Sequence, residues 1–577
     1  MTLERLHLRS ANAHGELGEP NWRPTSVTKT TVSSSPRVVL ILIGLLLLAR
    51  LIGMVEVPLM DTTEARYGEI GRKMAELNDW ITPWFDYGVP YWGKPPLAFW
   101  FTAISFKLFG VNEFTARLPH LLVSLVIIAL MGWLAGRRDG DARLPTVALA
   151  SGCAAYFISA GAVMVDMELT LGTSLAMAGF WLSLEPPVEP CSSQRTAGRS
   201  GWRAGSLFFG GLILGLLAKG PVALVLAGAP LLLWTVYNRR WFDVWHRLPW
   251  FRGLSLTLLI AVPWYWIAER RTPGFLEYFL VGEHWHKFLV PGWSGDLYGH
   301  AHSYPIGTIW AFAVVDTLPW SILLPIAAWR WRKSTTLAAI AAGIASVLPA
   351  NWSTGGADRS DAETLDDRAW QNYLLMWAFA PLLFFTAARN IMLAYVLPGL
   401  PAAAILVGSW LARQGRQGRQ IERLLSLGLL ITLLLMCRLT FEGSLPATIE
   451  YKSVKPLVTA YDQARTPGAS SPAAASSTAE PAQSDAPLIF IGGRPFSAEF
   501  YSRGRAIQVH TFDQCWQHIG THAAYVAVPV QEGDAFIASE AQHSESITSL
   551  READKSVRFV GRVGHYGDFD LFFVAAQ

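Results

Sequence analysis

Charged side chains gather in four separated stretches of this sequence, each beside an apolar run. The first reads Asp61-Thr-Thr-Glu64-Ala-Arg66-Tyr67-Gly-Glu69 and continues to Tyr91-Trp-Gly93-Lys94-Pro-Pro. The others are Asp166-Met-Glu168, Lys219-Gly-Pro and Glu283-His284-Trp-His286-Lys287. Ionisable groups at the mouth of a membrane bundle are costly unless they are paired or used. Each has a plain structural reading. Arg66 and Glu69 can pair at i, i+3, Asp166 and Glu168 suit the positive end of a helix, and Lys219 can extend its amine to the membrane surface. Glu-His-x-His alone is a poor metal signal beside interfacial aromatic residues. Convergence is what points to chemistry. Carboxylates, Lys, Arg and His brought from four segments to one face can hold an anionic lipid phosphate and an acceptor together and stabilise developing charge.

The elements that must position these residues are membrane helices. Of 577 residues, 51% are hydrophobic and only 16% charged, against roughly 25% charged in a soluble domain. Apolar windows start near Arg37, Arg117, Pro145, Asp166, Gly205, Gly220, Phe251, Tyr304, Asn372, Ile391 and Leu424, so window length predicts about eleven spans. A net charge of +3 supplies no basic field for nucleic acid. Cys153, Cys191, Cys437 and Cys515 lack metal-ligand or disulfide spacing. The polar stretch before Arg37 lacks a small-residue cleavage site, so the first span reads as retained rather than as a cleaved signal peptide.

Basic clusters at Arg137–Arg143, Arg195–Arg203, Arg239–Arg247, Arg330–Lys333 and Arg413–Arg423 fall in cytoplasmic loops if the N-terminus is inside, as the positive-inside rule requires. Thr335 to Ala350 is apolar enough to span, but counting it would place the last cluster outside, so it reads as not crossing. The same parity puts Glu56 to Glu113, Glu269 to Ser303 and everything after about Phe441 on the outer face. The expected organisation is a cytoplasmic tail over 1–36, a transmembrane domain over 37–440 with outer loops 56–113 and 269–303, a Ser/Ala/Pro linker over 464–487, and a small α/β domain over 488–577. In that last domain Pro487–Gly493, Ala523–Pro529 and Phe569–Val574 read as strands and Ser497–Tyr501 as a helix start. The Gly492-Gly493 pair reads as a turn. The domain could cover the cavity or contact an acceptor; its sequence names no ligand, and a passive cap is the simpler reading.

Several strings together carry a family. Glu64-Ala-Arg66-Tyr67-Gly-Glu69-Ile, Asp79-Trp80, Lys94-Pro-Pro-Leu97, Phe106-Lys-Leu-Phe-Gly-Val-Asn112-Glu113-Phe114 and Arg117-Leu-Pro119 resemble the polyprenyl-phosphate-sugar transferases of the GT-C class. Within that class the chain is most similar to bacterial lipid A aminoarabinose transferases, cousins of the protein O-mannosyltransferases. Asp166, Lys219-Gly220, Glu283-His284 and Tyr395-Val-Leu-Pro398 after Arg389 extend the likeness over about residues 38 to 440.

The resemblance implies a polytopic helical fold and inverting transfer of a sugar from undecaprenyl phosphate to an acceptor at the periplasmic face of the bacterial inner membrane. The sugar would be 4-amino-4-deoxy-L-arabinose and the acceptor a lipid A phosphate. It also implies roles. Asp61, Glu64 and Asp166 would be the catalytic carboxylates, with Arg66, Lys94 and Lys219 on phosphate. Tyr91, Glu283 and Tyr395 would line the cavity, and His284 could hold a divalent metal. A hydroxyl acceptor must lose a proton, which Asp61 or Glu64 would take as general base, whereas a phosphate acceptor needs only orientation. Two departures stand out. Thr63 precedes Glu64 where the family usually has Asp, and Gly93 replaces the Glu that usually precedes the Lys-Pro, a proposed metal ligand. Rival readings are hexosyl or mannosyl transfer to O-antigen, hopanoid or protein, and, from another class, a lipid or sugar transporter.

Overall fold

The computed structural model describes residues 36–185, 194–299, 302–332, 359–414, 418–465, 486–519, 522–539, 557–563 and 569–575. Five helices among them are long and apolar enough to cross a membrane. They are Arg37–Glu56 (α1), Glu113–Arg138 (α4), Trp250–Arg271 (α11), Leu393–Arg413 and Gly418–Ser444. Thr308–Asp316 and Trp320–Trp331 make a further span if counted together, bent by 77°. The expected starts near Arg37, Arg117, Phe251, Tyr304, Ile391 and Leu424 correspond to these elements. Those near Asp166, Gly205 and Asn372 correspond to Asp166–Leu184 (α7), Gln194–Lys219 (α8) and Arg359–Phe385. The segment Thr335–Ala350, Cys191 and the linker between 466 and 485 lie outside the described residues.

Two expected spans differ. The run from Gly220 is a helix of 16 residues, Val222–Tyr237 (α9), short for a crossing that needs about 20. The run from Pro145 is two short helices, Arg143–Ser151 (α5) and Ala154–Ser159 (α6), broken at Gly152-Cys153. The break has a physical cause: it faces the bend of the other broken helix. Ala154 N–H donates to Leu318 O at 2.9 Å and Cys153 Sγ to Asp316 O at 3.0 Å. A Cβ on Gly152 would meet the Trp320 ring at 2.7 Å. Backbone groups freed by one break are thus satisfied by the other, as an apolar surrounding demands.

The helices α7 and α8 lie against each other with almost no side chain between them. A Cβ on Gly172 would meet Gly215 N at 2.6 Å, one on Gly179 would overlap Phe208 N, and one on Gly211 would overlap Ala176 N. Small residues let backbones approach this closely, which is how helices pack where lipid offers no hydrophobic drive. Because the pair is antiparallel, the first residue of α7, Asp166, and the last of α8, Lys219, arrive at the same end of the bundle.

That end also carries the long loop between α1 and α4. Thr63–Leu77 (α2) stops at Asn78, whose φ of 53° is left-handed and which asparagine tolerates. A hairpin of Trp84–Asp86 (β1) and Val89–Pro90 (β2) follows, then Leu97–Phe109 (α3). A capping box opens α4: Asn112 accepts from Thr115 N–H while the Thr115 hydroxyl accepts from Asn112 N–H. The C-terminal domain is a five-stranded sheet. Its strands are Leu488–Ile491 (β3), Ala506–Val509 (β4), Ala524–Pro529 (β5), Val557–Val563 (β6) and Phe569–Val574 (β7), in the order β4-β3-β5-β7-β6. The pairs β3–β4 and β3–β5 are parallel, and β5–β7 and β6–β7 antiparallel. The three strands expected from sequence are its centre. The two edges were not legible because polar residues and glycine interrupt their apolar runs, Gln508 in β4 and Arg558, Gly561 and Arg562 in β6.

Candidate active site

Lys94 reaches this end of the bundle from the turn between β2 and α3. Its Nζ donates to Glu283 Oε2 at 2.7 Å and to its neighbour Gly93 O at 2.6 Å. Glu283 comes from an irregular helical stretch, Tyr278–His286. Its other oxygen accepts from Lys287 Nζ at 2.9 Å, and Lys287 also pairs with Asp296 at 2.8 Å. Burial alone would raise the Glu283 pKa, but Lys94 and Lys287 outweigh it and hold the carboxyl at about 2. Lys94 is likewise held charged: burial works against it, while Glu283 and the nearby Tyr91, Tyr67 and Tyr395 hydroxyls raise its pKa well above the ordinary value.

Lys219 and Asp166 meet where the glycine-packed helices end, Nζ to Oδ1 at 2.5 Å. The same ammonium lies 4.1 Å from the centre of the Tyr395 ring, a cation–π contact. Gly220 follows with φ of 77°, and a Cβ there would meet the Phe279 ring at 2.6 Å, so glycine lets the chain turn beneath the Tyr278–His286 stretch. His284 joins the two groups, its Nε2 lying 3.2 Å from Lys219 O and its Nδ1 2.7 Å from Phe279 O. Both ring nitrogens of His284 therefore face backbone carbonyl oxygens. Among the described residues, no three His, Cys, Asp or Glu side chains are grouped to hold one. The imidazole acts here as a spacer, and burial lowers its pKa towards the neutral form.

Arg66 extends from the first turn of α2 into an aromatic enclosure. Its guanidinium lies 5.3 Å from the centre of Tyr67, 5.9 Å from Tyr91 and 5.6 Å from Phe496. One nitrogen donates to Tyr298 O at 2.5 Å, whereas Nε is buried with no hydrogen-bond partner among the described residues. Asp296 and Glu283 are near enough to act on its charge. Tyr91 fills the space beside Gly93: a Cβ there would meet the Tyr91 ring and hydroxyl at 2.7 Å. The space that a side chain at position 93 would need is therefore taken by Tyr91, two residues before it.

The two first-loop carboxylates, Glu64 and Asp61, each have direct partners. Glu64 takes a two-pronged contact from Arg117, at 2.8 and 2.6 Å, and Arg117 also donates to Met54, Val57 and Pro58 carbonyls. Burial works against ionisation of Glu64, yet Arg117 lowers its pKa. Asp61 accepts from Ser497 of the C-terminal domain, from N–H at 2.9 Å and from the hydroxyl. The first contact ties α2 to α4 and the second ties the first loop to the sheet domain. Sequence reasoning singled them out by charge, which does not distinguish a fastener from a base.

Other contributors went unassigned. Lys287 stands four residues from Glu283, a readable i, i+4 signal. Tyr67 stands beside Arg66, while Tyr298 and Phe496 come from distant segments and gave no signal. Fully buried Glu168 meets His120 at 2.7 Å, and His120 meets Thr102 at 3.2 Å, so the start of α7 is tied to α4 and α3.

Residues 39–279 match the family model described as "Dolichyl-phosphate-mannose-protein mannosyltransferase". The chain is 28% identical over 373 residues to the undecaprenyl phosphate-alpha-4-amino-4-deoxy-L-arabinose arabinosyl transferase of Edwardsiella ictaluri, covering 63% of this chain and 58% of that protein. It is 26% identical over 413 residues to the second such transferase of Pseudomonas fluorescens, covering 70% and 65%. The match thus spans about three fifths of the length of these curated relatives. In fold, the chain is similar to the crystal structure of ArnT from Cupriavidus metallidurans bound to undecaprenyl phosphate. The TM-score is 0.66 at 18% identity, over 94% of this chain and 98% of that one.

Proposed function

From the premise that this chain resembles, in sequence and in fold, the polyprenyl-phosphate-sugar transferases of the GT-C class, we propose that it moves a sugar from undecaprenyl phosphate to a membrane-surface acceptor. The sugar is 4-amino-4-deoxy-L-arabinose and the acceptor a lipid A phosphate. The chain works in the bacterial inner membrane with its site and C-terminal domain on the periplasmic face. The observation that carries this reading is the convergence of Lys94, Arg66 and Lys219, three cations held by the first loop and α8, beside Glu283 and Asp166.

The acceptor oxygen attacks the anomeric carbon as the bond to the undecaprenyl phosphate oxygen breaks, with inversion. The leaving phosphate keeps the bonding pair. Lys94 and the Arg66 Nε, which has no hydrogen-bond partner among the described residues, are fixed donors for that growing charge, stronger in the transition state than before it. Asp166, steadied by Lys219, orients the sugar, and Tyr91 and Tyr395 line its path. The commitment of Asp61 to Ser497 and of Glu64 to Arg117 favours a phosphate acceptor. No first-loop carboxylate is then required as a base, because the acceptor is already anionic.

The test is reconstitution of the purified chain with undecaprenyl-phosphate aminoarabinose and lipid A, read by mass spectrometry. A mass gain of one aminopentose on lipid A, lost in Lys94→Ala, is the expected result. Unchanged lipid A, with sugar appearing on a hydroxyl acceptor instead, would overturn the choice of acceptor.

A further inference from the structure

The enclosure around Arg66 has one wall that does not belong to the membrane domain. Phe496 lies at the start of the helix Phe496–Tyr501 in the C-terminal domain, beyond the linker. Its ring is 5.6 Å from the Arg66 guanidinium and 5.4 Å from Phe85 of the β1 strand, edge-on to the latter. Its neighbours are pinned on both sides. Arg494 donates to Asp86 at 2.7 Å, Ser497 donates twice to Asp61, Glu499 meets Lys73 of α2 at 2.6 Å, and the Tyr501 hydroxyl accepts from Leu59 N–H at 2.7 Å. Ser497, Glu499 and Lys73 are fully buried. A passive cover would not need so exact a seat for one aromatic ring.

We propose that Phe496 is a positioning residue of the transfer site, its ring face holding the Arg66 guanidinium so that Nε is presented to the lipid phosphate. The C-terminal domain is then a working part of the site. Among the described residues Arg66 makes one direct hydrogen bond, to Tyr298 O, and a single bond leaves a guanidinium free to swing about it. The three rings remove that freedom, two from α2 and the first loop and the third from a domain more than 400 residues downstream, the Ser497–Asp61 separation being 436. The ring quadrupole attracts a cation where an alkyl side chain of similar bulk does not.

This inference rests on the reading that Arg66 meets the phosphate of undecaprenyl phosphate, and the test separates the two. Full-length protein in lipid nanodiscs is assayed for undecaprenyl phosphate binding and for sugar transfer as wild type, Phe496→Tyr, Phe496→Leu, Arg66→Ala and the Phe496→Leu, Arg66→Ala pair. Phe496→Leu should weaken binding and transfer by about 3- to 30-fold, the range of a partly desolvated cation–π contact. Phe496→Tyr should stay close to wild type, and Phe496→Leu should add nothing once Arg66 is alanine. If the leucine variant does not fold by size-exclusion and melting, Phe496→Met and a ring-fluorinated phenylalanine at 496 replace it, the latter weakening the effect stepwise at constant shape. Equal behaviour of leucine, methionine or fluorinated variants and wild type, or an undiminished loss in the Arg66→Ala background, overturns the positioning role. Wild-type protein that binds no undecaprenyl phosphate overturns the underlying functional reading, and this inference with it.

Discussion

Lys94 and Glu283 form the pair most exposed to a simple test, because each holds the other charged. Glu283 titrates at about 2 against an ordinary 4.5, so the stability it lends is present above about pH 4.5 and lost as the pH falls through 2. Lys94 is raised, so its share is present below its ordinary value and lost only in strong alkali. The pair therefore stays ionised across the neutral range. A transfer-rate profile from about pH 5 to about pH 9 should carry no inflection from it, and one that appears in wild type but vanishes in Glu283→Gln would contradict this. Removing the cation is more severe. Lys94→Ala deletes a donor at the leaving phosphate and leaves Glu283 with Lys287 alone, and it should lower kcat by about 100- to 1000-fold in single-turnover measurements. Gly93→Glu, which restores the carboxylate usual in the family, should instead displace Tyr91 and lower activity, since the space is taken.

Among the elements, the α7–α8 pair sets the distance between Asp166 and Lys219. Gly211→Leu should push the helices apart, with a melting-temperature loss in detergent and reduced transfer, because the new side chain has backbone rather than a flexible neighbour in its way. An equally active and stable variant would mean that the helices can slide without cost to the site. How much of this was legible in sequence follows from what each signal encodes. Apolar length revealed α1, α4 and α11, because span length is a local property. It could not reveal that the run from Pro145 is broken, because the break is stabilised by Leu318 and Asp316, far along the chain. Motif spacing brought Lys94, Asp166, Lys219 and Glu283 to one end. It could not show that Asp61 faces Ser497, since a carboxylate reads the same whether it fastens or reacts.

For the molecule as a whole, the contact between the two domains should respond to acidity. Burial and Glu69 raise the Glu499 carboxyl to about 7 against the pull of Lys73 and Arg494. Its folded pKa exceeds the ordinary 4.5, so the contact is strongest below about pH 4.5 and weakens as the pH rises through 7. Hydrogen exchange of residues 494–501 should accordingly quicken between about pH 5 and about pH 8 as about one proton is released, and Glu499→Gln should flatten the response. An exchange rate in wild type that follows only the intrinsic amide chemistry would count against it.

The fastening of Asp61 to Ser497 also has a temporal meaning. Synthesis delivers the first loop early and its partner 436 residues later, an interval of roughly 20 to 90 s at about 5–20 residues per second. Throughout that interval the membrane helices can insert and pack while Arg66 still lacks one wall of its enclosure. The order of translation thus makes maturation of the site the last event of assembly, and a ribosome-stalled chain ending in the linker should be inserted yet unable to hold its lipid tightly.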